Sequence, residues 1–404
     1  MKNLIILSIV LFAGISCNKK SEINQWHGEN RDGIYQETNL LKEWPDEGPE
    51  MLWLYEGIGN GYGSPTVTSK QIFVNGELDS LSHLFALDLD VKLLWKVPYD
   101  SSWVVNFPGS RSTPTVVDDL VYICSPKGEV MCVKAEDGTK VWSTNMMEKY
   151  NGVITRFGFA QSLLIDGEKV FFAPGDSVKT NVVALNRFTG EEIWTSLAKG
   201  EKPAFCSPMM INLPTRKQLV TFSEFHLFGL DAATGELLWW HEDSAVDVKG
   251  NTPIYDNGFI YATSYGNGTI KLKLSEDGTK VTEVWKNMEV NSIQEGLLKI
   301  GEKLIGTGYK KFYLRVIDDK TGEVIDSLKT GNGSAIYADN MLYVYSDRGK
   351  TSLVKLNPKL ETVSSFRVRK GTKEHFAHPV IKNGVLYIRH GNVLMAFNIR
   401  KKAK

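Results

Sequence analysis

Gly229-Leu230-Asp231-Ala232-Ala233-Thr234-Gly235-Glu236-Leu237-Leu238-Trp239 is the stretch that decides the fold. It closes one apolar strand on a carboxylate, turns on Thr-Gly, and opens a second apolar strand that reaches Trp. The same phrase stands at Leu84-Phe85-Ala86-Leu87-Asp88 to Trp95, at Cys132-Val133-Lys134 through Asp137-Gly138 to Trp142, and at Ala184-Leu185-Asn186 through Thr189-Gly190 to Trp194. It recurs roughly every 35–50 residues, the signature of an array of identical small units. Short strands punctuated by Gly turns make each unit a β-blade and the array a propeller.

The remaining chain is phased on those copies. Blades open on Ser64-Pro65, Thr113-Pro114, Ser207-Pro208, Thr252-Pro253 or His378-Pro379, where the missing Pro N–H need not join a ladder. A polar turn such as Asp118-Asp119, Asp256-Asn257-Gly258 or Lys382-Asn383-Gly384 then leads to a second alternating strand. Weaker units begin near Glu295, Ser334 and Phe376. Blade five keeps Gly278 and Trp285. Blade six has Ile325, and blade seven Phe366, where the Trp is expected. The eighth unit lacks its own last strand. Glu50-Met51-Leu52-Trp53-Leu54-Tyr55-Glu56 carries the apolar-Trp pattern with no blade before it, so it is expected to close the ring and remove an open sheet edge. The fold expected is all-β: an eight-bladed propeller of four-stranded antiparallel blades over residues 49–400, closed by an N-terminal strand. Residues 18–48 read as an irregular arm whose Trp26, Trp44 and Pro45 pack it on the ring.

Trp53, Trp95, Trp142, Trp194, Trp239 and Trp285 are read as packing residues docked between blades. Ala86, Cys132, Ala184 and Gly229 are small, as a bulky neighbour requires.

Charges balance to a formal net of zero across 404 residues, so no basic field invites nucleic acid. The basic run Arg400 to Lys404 reads as a solvated tail. At the N-terminus, Lys2 precedes an apolar run, Leu4 to Ile15, of signal-peptide rather than membrane-span length. It ends Gly14-Ile15-Ser16-Cys17, which resembles a bacterial lipobox with Gly14 in place of the usual Leu. Residues 1–17 are therefore read as a signal peptide, and Cys17 as the lipidated residue of a membrane-anchored envelope protein. Cys124, Cys132 and Cys206 form no disulfide framework. Cys124 and Cys132, separated by a four-residue turn, are expected to face opposite sides of one blade.

The repeat Ala-x-Asp/Asn-x-x-Thr-Gly-x-x-x-Trp resembles that of the pyrroloquinoline-quinone (PQQ) propeller superfamily, from about Trp26 to Ile399. More closely, the chain looks like the PQQ-binding-like repeat proteins of the envelope and the BamB-type lipoproteins. Trp26-His27-Gly28-Glu29-Asn30-Arg31-Asp32-Gly33, Leu41-Lys42-Glu43-Trp44-Pro45 and Arg111-Ser112-Thr113-Pro114-Thr115 carry that likeness. The quinoprotein alcohol dehydrogenases of the superfamily use a vicinal Cys-Cys disulfide over the quinone, a Ca²⁺ held by Glu and Asn, and an Asp base. This chain has no Cys-Cys and no Cys-x-x-Cys-His.

No catalytic constellation is present: there is no Gly-x-Ser-x-Gly, P-loop or His-Glu-x-x-His. His375, His378 and His390 lack a Cys or carboxylate at ligand spacing, so no metal is expected. Gly59-Asn60-Gly61-Tyr62-Gly63 precedes a strand, not the helix N-terminus a phosphate cradle needs. It reads as a turn at the propeller mouth. A ligand site, if present, belongs at the axial funnel, at Tyr62, Arg111, Arg156, Phe157, Phe205, Asn251, Glu295 and His378. Arg111 and Arg156 are expected to pair with neighbouring carboxylates or else to await an anion. The insertion Met146 to Phe159 is expected to overhang the mouth.

The expectation is a monomeric, non-catalytic, lipid-anchored envelope scaffold with protein partners and no cofactor, serving outer-membrane protein assembly. The alternatives are a PQQ- and Ca²⁺-dependent oxidoreductase and a carbohydrate- or small-ligand-binding propeller.

Overall fold

In the computed structural model, which describes residues 22–244, 248–308 and 311–401, eight sheets stand around one axis. Within each blade the strands run antiparallel from the axis outward, as in Thr115–Val117, Leu120–Cys124, Glu129–Lys134 and Lys140–Asn145 of blade two. The eighth blade takes its outer strand from the other end of the chain. The strand Glu50–Glu56 pairs antiparallel with Val393–Asn398, setting Trp53 opposite Ala396.

A row of three side chains across each blade explains the repeat. Phe73, Ala86 and Trp95 face one another in blade one, Tyr122, Cys132 and Trp142 in blade two, and Phe171, Ala184 and Trp194 in blade three. The small central residue lets the outer rings meet, at 5.8–6.4 Å between centroids across these blades, blade five and blade eight. Each indole then reaches the next blade. Trp95, Trp142, Trp194 and Trp285 donate their N–H to the carbonyls of Ala135, Arg187, Ala232 and Asp319. The turn glycine of that next blade lies on the ring. A Cβ at Gly190 would stand 2.8 Å from Trp142, and one at Gly235 2.6 Å from Trp194. Both also hold positive φ, so Gly is required there twice over.

The weak blades depart from the expected phase by one or two residues. In blade six, Val316 lies opposite Asp326, so Asp326 holds the Trp position and Ile325 points outward, 53% exposed. In blade seven, Leu353 lies opposite Ser364, so Ser364 holds that position and Phe366 does not. The spacing of the Trp copies, four residues from the turn Gly, leads from Gly322 to Asp326, one past the apolar Ile325, while blade seven has no Thr-Gly turn from which to count.

The two cysteines of blade two also differ from expectation. Ser125 N–H bonds to Glu129 O, leaving a three-residue loop that ends on Gly128 at φ +95°. Cys124 thereby pairs with Val130 and Cys132 with Tyr122, which puts both thiols on one face, in one apolar cluster. A one-residue change of register flips the face of every side chain. Both remain free thiols.

The arm is more ordered than an irregular segment. Ile23–Asn24 (β1) adds antiparallel to the inner strand of blade two, and Ile34–Tyr35 (β2) adds parallel to that of blade seven. Between β1 and β2 the chain turns inside the axial channel. There Arg31 is buried and donates to the carbonyls of Ser162 and Leu163 in blade three.

Candidate functional site

Loops entering the inner strands converge on a funnel of about 480 Å³, and Trp26 of the arm hairpin forms part of its lining. Tyr62, Arg111, Arg156, Phe157, Phe205, Glu295 and His378 all line it. Asn251 does not. Its amide donates to the carbonyls of Thr263 and Ser292, and its oxygen accepts Gly296 N–H, so it ties blade five to blade six behind the wall.

One arc of the wall is aromatic. Tyr62, Phe376, Phe107, Phe157 and Phe205 meet in a continuous chain with centroids 5.6–5.9 Å apart. Phe107 lies in the connection between blades one and two, outside the repeat, whereas Phe376 stands three residues before Pro379, the phase of Tyr62 and Phe205, which was the signal that could have found it. The other arc is polar. Glu295 accepts the backbone N–H groups of Ile293 and Gln294, and burial together with nearby Asp347 raises its carboxyl pKa.

The two arginines behave differently from the pairing expected of them. Arg111 donates to the carbonyls of Gly109, Asn106 and Phe107, and burial lowers its pKa to about 10. It staples its own loop rather than a carboxylate. Arg156 is exposed over the Phe157 ring. Among the described residues neither makes an ion pair within 4.0 Å. The insertion divides in two. Met146–Tyr150 is a short helix capped by Asn145, with Met146 and Tyr150 buried beside blades two and three. Only its later part, Arg156 and Phe157, reaches the mouth.

The loop stapled by Arg111 stands above the funnel. Trp103 N–H donates to Glu77, the Trp103 indole to Asn106 O, and the Asn106 amide to Arg156 O. Pinned in this way, the loop holds Val104 and Val105 outward, 70% and 67% exposed, with Phe107 and Ile154 also exposed nearby. Two apolar side chains are thus held in solvent on a loop fixed by its own hydrogen bonds.

Beneath the mouth, Trp26 stacks on His27 at 4.6 Å, and the His27 and His378 rings meet edge-on at 4.9 Å. His378 Nε2 donates to Gln294 O. Burial pushes His378 down to about 4 and lowers His27 well below its ordinary value. The folded state therefore holds both rings neutral, while the unfolded chain protonates them near pH 6.5. Between about pH 6.5 and 4 the unfolded state binds more protons, so the contribution of these rings is whole above that window and falls as pH falls through it. His378→Asn is expected to flatten the decline by up to about 3 kcal/mol over that window. Urea unfolding of both proteins from pH 4 to 7 checks this; parallel pH profiles would refute it.

His375 and His390 stack on each other at 3.6 Å, away from the His27–His378 contact. Among the described residues no three His, Cys, Asp or Glu side chains gather as metal ligands.

The profile of the family described as outer membrane protein assembly factor BamB matches residues 82–328, from blade one to blade six. Two curated relatives carry that same description. The one from Kangiella koreensis is 24% identical over 184 residues, 43% of this chain and 41% of that relative. The one from Shewanella oneidensis is 22% identical over 303 residues, 72% of this chain and 70% of that relative. Among solved structures, BamB from Moraxella catarrhalis superposes with a TM-score of 0.62 at 15% identity, covering 87% of this chain and 99% of its own. A europium-containing methanol dehydrogenase superposes at 0.68 with 11% identity, over 91% and 90%. Those superpositions establish the propeller, which both kinds of protein share. With the profile spanning more than half of its residues, the chain belongs to the outer membrane protein assembly factor BamB family.

Proposed function

We propose that this protein is a non-catalytic, lipid-anchored scaffold of the cell envelope that serves outer-membrane protein assembly. The pinned apolar crest, Val104 and Val105 beside Phe107, is the observation that carries this reading. Exposed apolar residues on a rigid loop suit a protein partner, and the relatives' description supplies the process. Quinone chemistry finds no support in the donor set. Cys124, Cys132 and Cys206 are buried and nowhere adjacent, and the Glu295 carboxylate is taken up by backbone N–H groups.

The test is in-cell cross-linking through the crest, with partners identified by mass spectrometry. Components of outer-membrane assembly are expected, and Val104→Asp with Val105→Asp is expected to reduce their capture at least ten-fold while leaving the melting temperature unchanged. Capture that ignores the double variant would exclude the crest. Saturable PQQ binding with alcohol turnover would overturn the scaffold reading itself. Cys17→Ala is expected to move the protein from the membrane fraction to the soluble one; fractionation with mass spectrometry of the N-terminal peptide reads this directly. The aromatic arc and the cavity favour a second reading, a sugar or other small ligand in the funnel, which calorimetry with glycan fragments examines.

A further inference from the structure

The funnel carries opposite charges on opposite walls. In a ring of eight blades, blade two faces blade six and blade three faces blade seven. Arg111 leads into blade two and Arg156 into blade three, while Glu295 leads into blade six and Asp347 stands at the mouth end of blade seven. The chain of rings from Phe376 to Phe205 covers the arc from blade eight to blade four. Both arginines lie within that arc, and Arg111 is engaged by the carbonyls of its own loop. The carboxylates therefore stand across the cavity from an apolar wall.

The acidic wall offers acceptors that lack donors. Glu295 is 8% exposed, and both backbone N–H groups fall on its Oε2; Oε1 makes no hydrogen bond and is not sealed from solvent. Asp347 Oδ2 accepts the Asn332 amide at 3.4 Å, and Oδ1 is buried without a partner. His378 is 6% exposed; its Nε2 donates to Gln294 O, so its Nδ1 carries a lone pair, and that atom also has no partner. Among the described residues neither carboxylate makes an ion pair within 4.0 Å. Arg348, next to Asp347 in the chain, is exposed and lies outside the lining.

We infer that the funnel binds an organic ammonium ion carried on an apolar, ring-bearing body, with the ammonium at Glu295 and Asp347 and the body along the aromatic arc. The inference deepens the small-ligand reading of the funnel and is independent of the crest. An ammonium has three donors and no acceptor, the complement of these groups. It also offsets the repulsion between the two carboxylates, which raises the Glu295 pKa and which a sugar hydroxyl leaves in place. The rings opposite suit an apolar body, and their negative faces tolerate the cation as it enters. The cavity, about 480 Å³, lies in the range of small-molecule sites.

The test is calorimetry of the purified protein with tryptamine and with tryptophol, its neutral alcohol analogue. Tryptamine is expected to bind about ten-fold more tightly. Glu295→Gln keeps an acceptor for the Ile293 and Gln294 N–H groups and places an amide NH₂ where Oε1 stood. It is expected to remove most of the preference for tryptamine while the melting temperature holds, and Asp347→Asn to remove part of it. Phe157→Ala is expected to weaken both probes alike, because it touches the body and not the charge. Trp-Gly-Gly, free and N-acetylated, separates two sources of the ammonium: tighter binding of the free peptide than of tryptamine identifies a chain terminus, and weaker binding a free amine. Equal affinities for tryptamine and tryptophol, a preference that survives both carboxylate substitutions, or displacement of tryptamine by an equal concentration of Ca²⁺ overturns the inference. Glycan fragments that bind where tryptamine does not overturn it too, but leave the funnel a ligand site.

Discussion

Arg389→Met is expected to destabilise the ring by about 3–5 kcal/mol. Arg389 is the largest fully buried side chain, and it sits where the ring closes. Its guanidinium donates to the carbonyls of Gly63, Gly59 and Gly391 and to the Asn75 side chain. Methionine fills much of the volume but leaves those acceptors without a donor in a dry site, which is the costly outcome. Within the glycine-rich run Gly59–Gly63, Gly61 is the residue that Arg389 requires. A Cβ at Gly61 would stand 2.1 Å from the Arg389 guanidinium, and one at Gly59 2.1 Å from Glu77 O. The run is a cradle for a cation of the chain itself. Gly61→Ala should therefore also destabilise, and the double variant should cost less than the sum, because the clash disappears with the arginine. Urea unfolding of the four proteins measures the cycle. An Arg389→Met loss under 1 kcal/mol, or strict additivity, would refute the account.

Trp44→Ala is expected to cost about 3–5 kcal/mol, as much as losing a repeat tryptophan, although Trp44 lies outside the repeat. Blade seven has Ser364 at the Trp position and Tyr343 on its second strand. Trp44 of the arm fills the gap. Its ring meets Tyr343 at 5.8 Å and 47°, inside the 46–56° range of the repeat pairs. Its backbone N–H donates to Ser364 Oγ at 2.9 Å, and Phe366 packs edge-on against it. The same substitution at Trp240, which is 49% exposed, should change stability by no more than about 0.5 kcal/mol. Ser364→Trp restores the repeat residue, so it should harm the natural protein and partly rescue Trp44→Ala. Thermal and urea melts of the single and double variants decide this; absence of rescue would mean that Trp44 does not stand in for the missing indole.

The blade count, the antiparallel strands, the closing strand at Trp53 and the small residues at Ala86, Cys132, Ala184 and Gly229 were all legible in the sequence. Each depends on contacts between neighbouring strands of one blade, and such contacts write a period into the chain. The mouth was legible in part, because inner strands begin at predictable phases; that placed Tyr62, Arg111, Phe157 and His378 on the funnel. Asn251 stands one residue off that phase, two before Pro253 as Ser112 is before Pro114 and Cys206 before Pro208, and alternation turns its side chain into the wall.

What only the tertiary structure decided has two physical causes. Blade seven lacks the Thr-Gly turn that sets the count elsewhere, so only its pairing shows Ser364 at the Trp position, and the three-residue loop after Ser125 put Cys124 and Cys132 on one face. Neither event changes the apolar pattern that a reading relies on. The arm inside the channel, Trp44 on blade seven and Arg389 over Gly61 join segments that lie 131 to 330 residues apart. A ring brings its two ends together, and the contacts formed there are single and unrepeated. The sequence by itself determined the ring because the ring is built from local, repeated burial; the seam and the plug came from contacts that occur once.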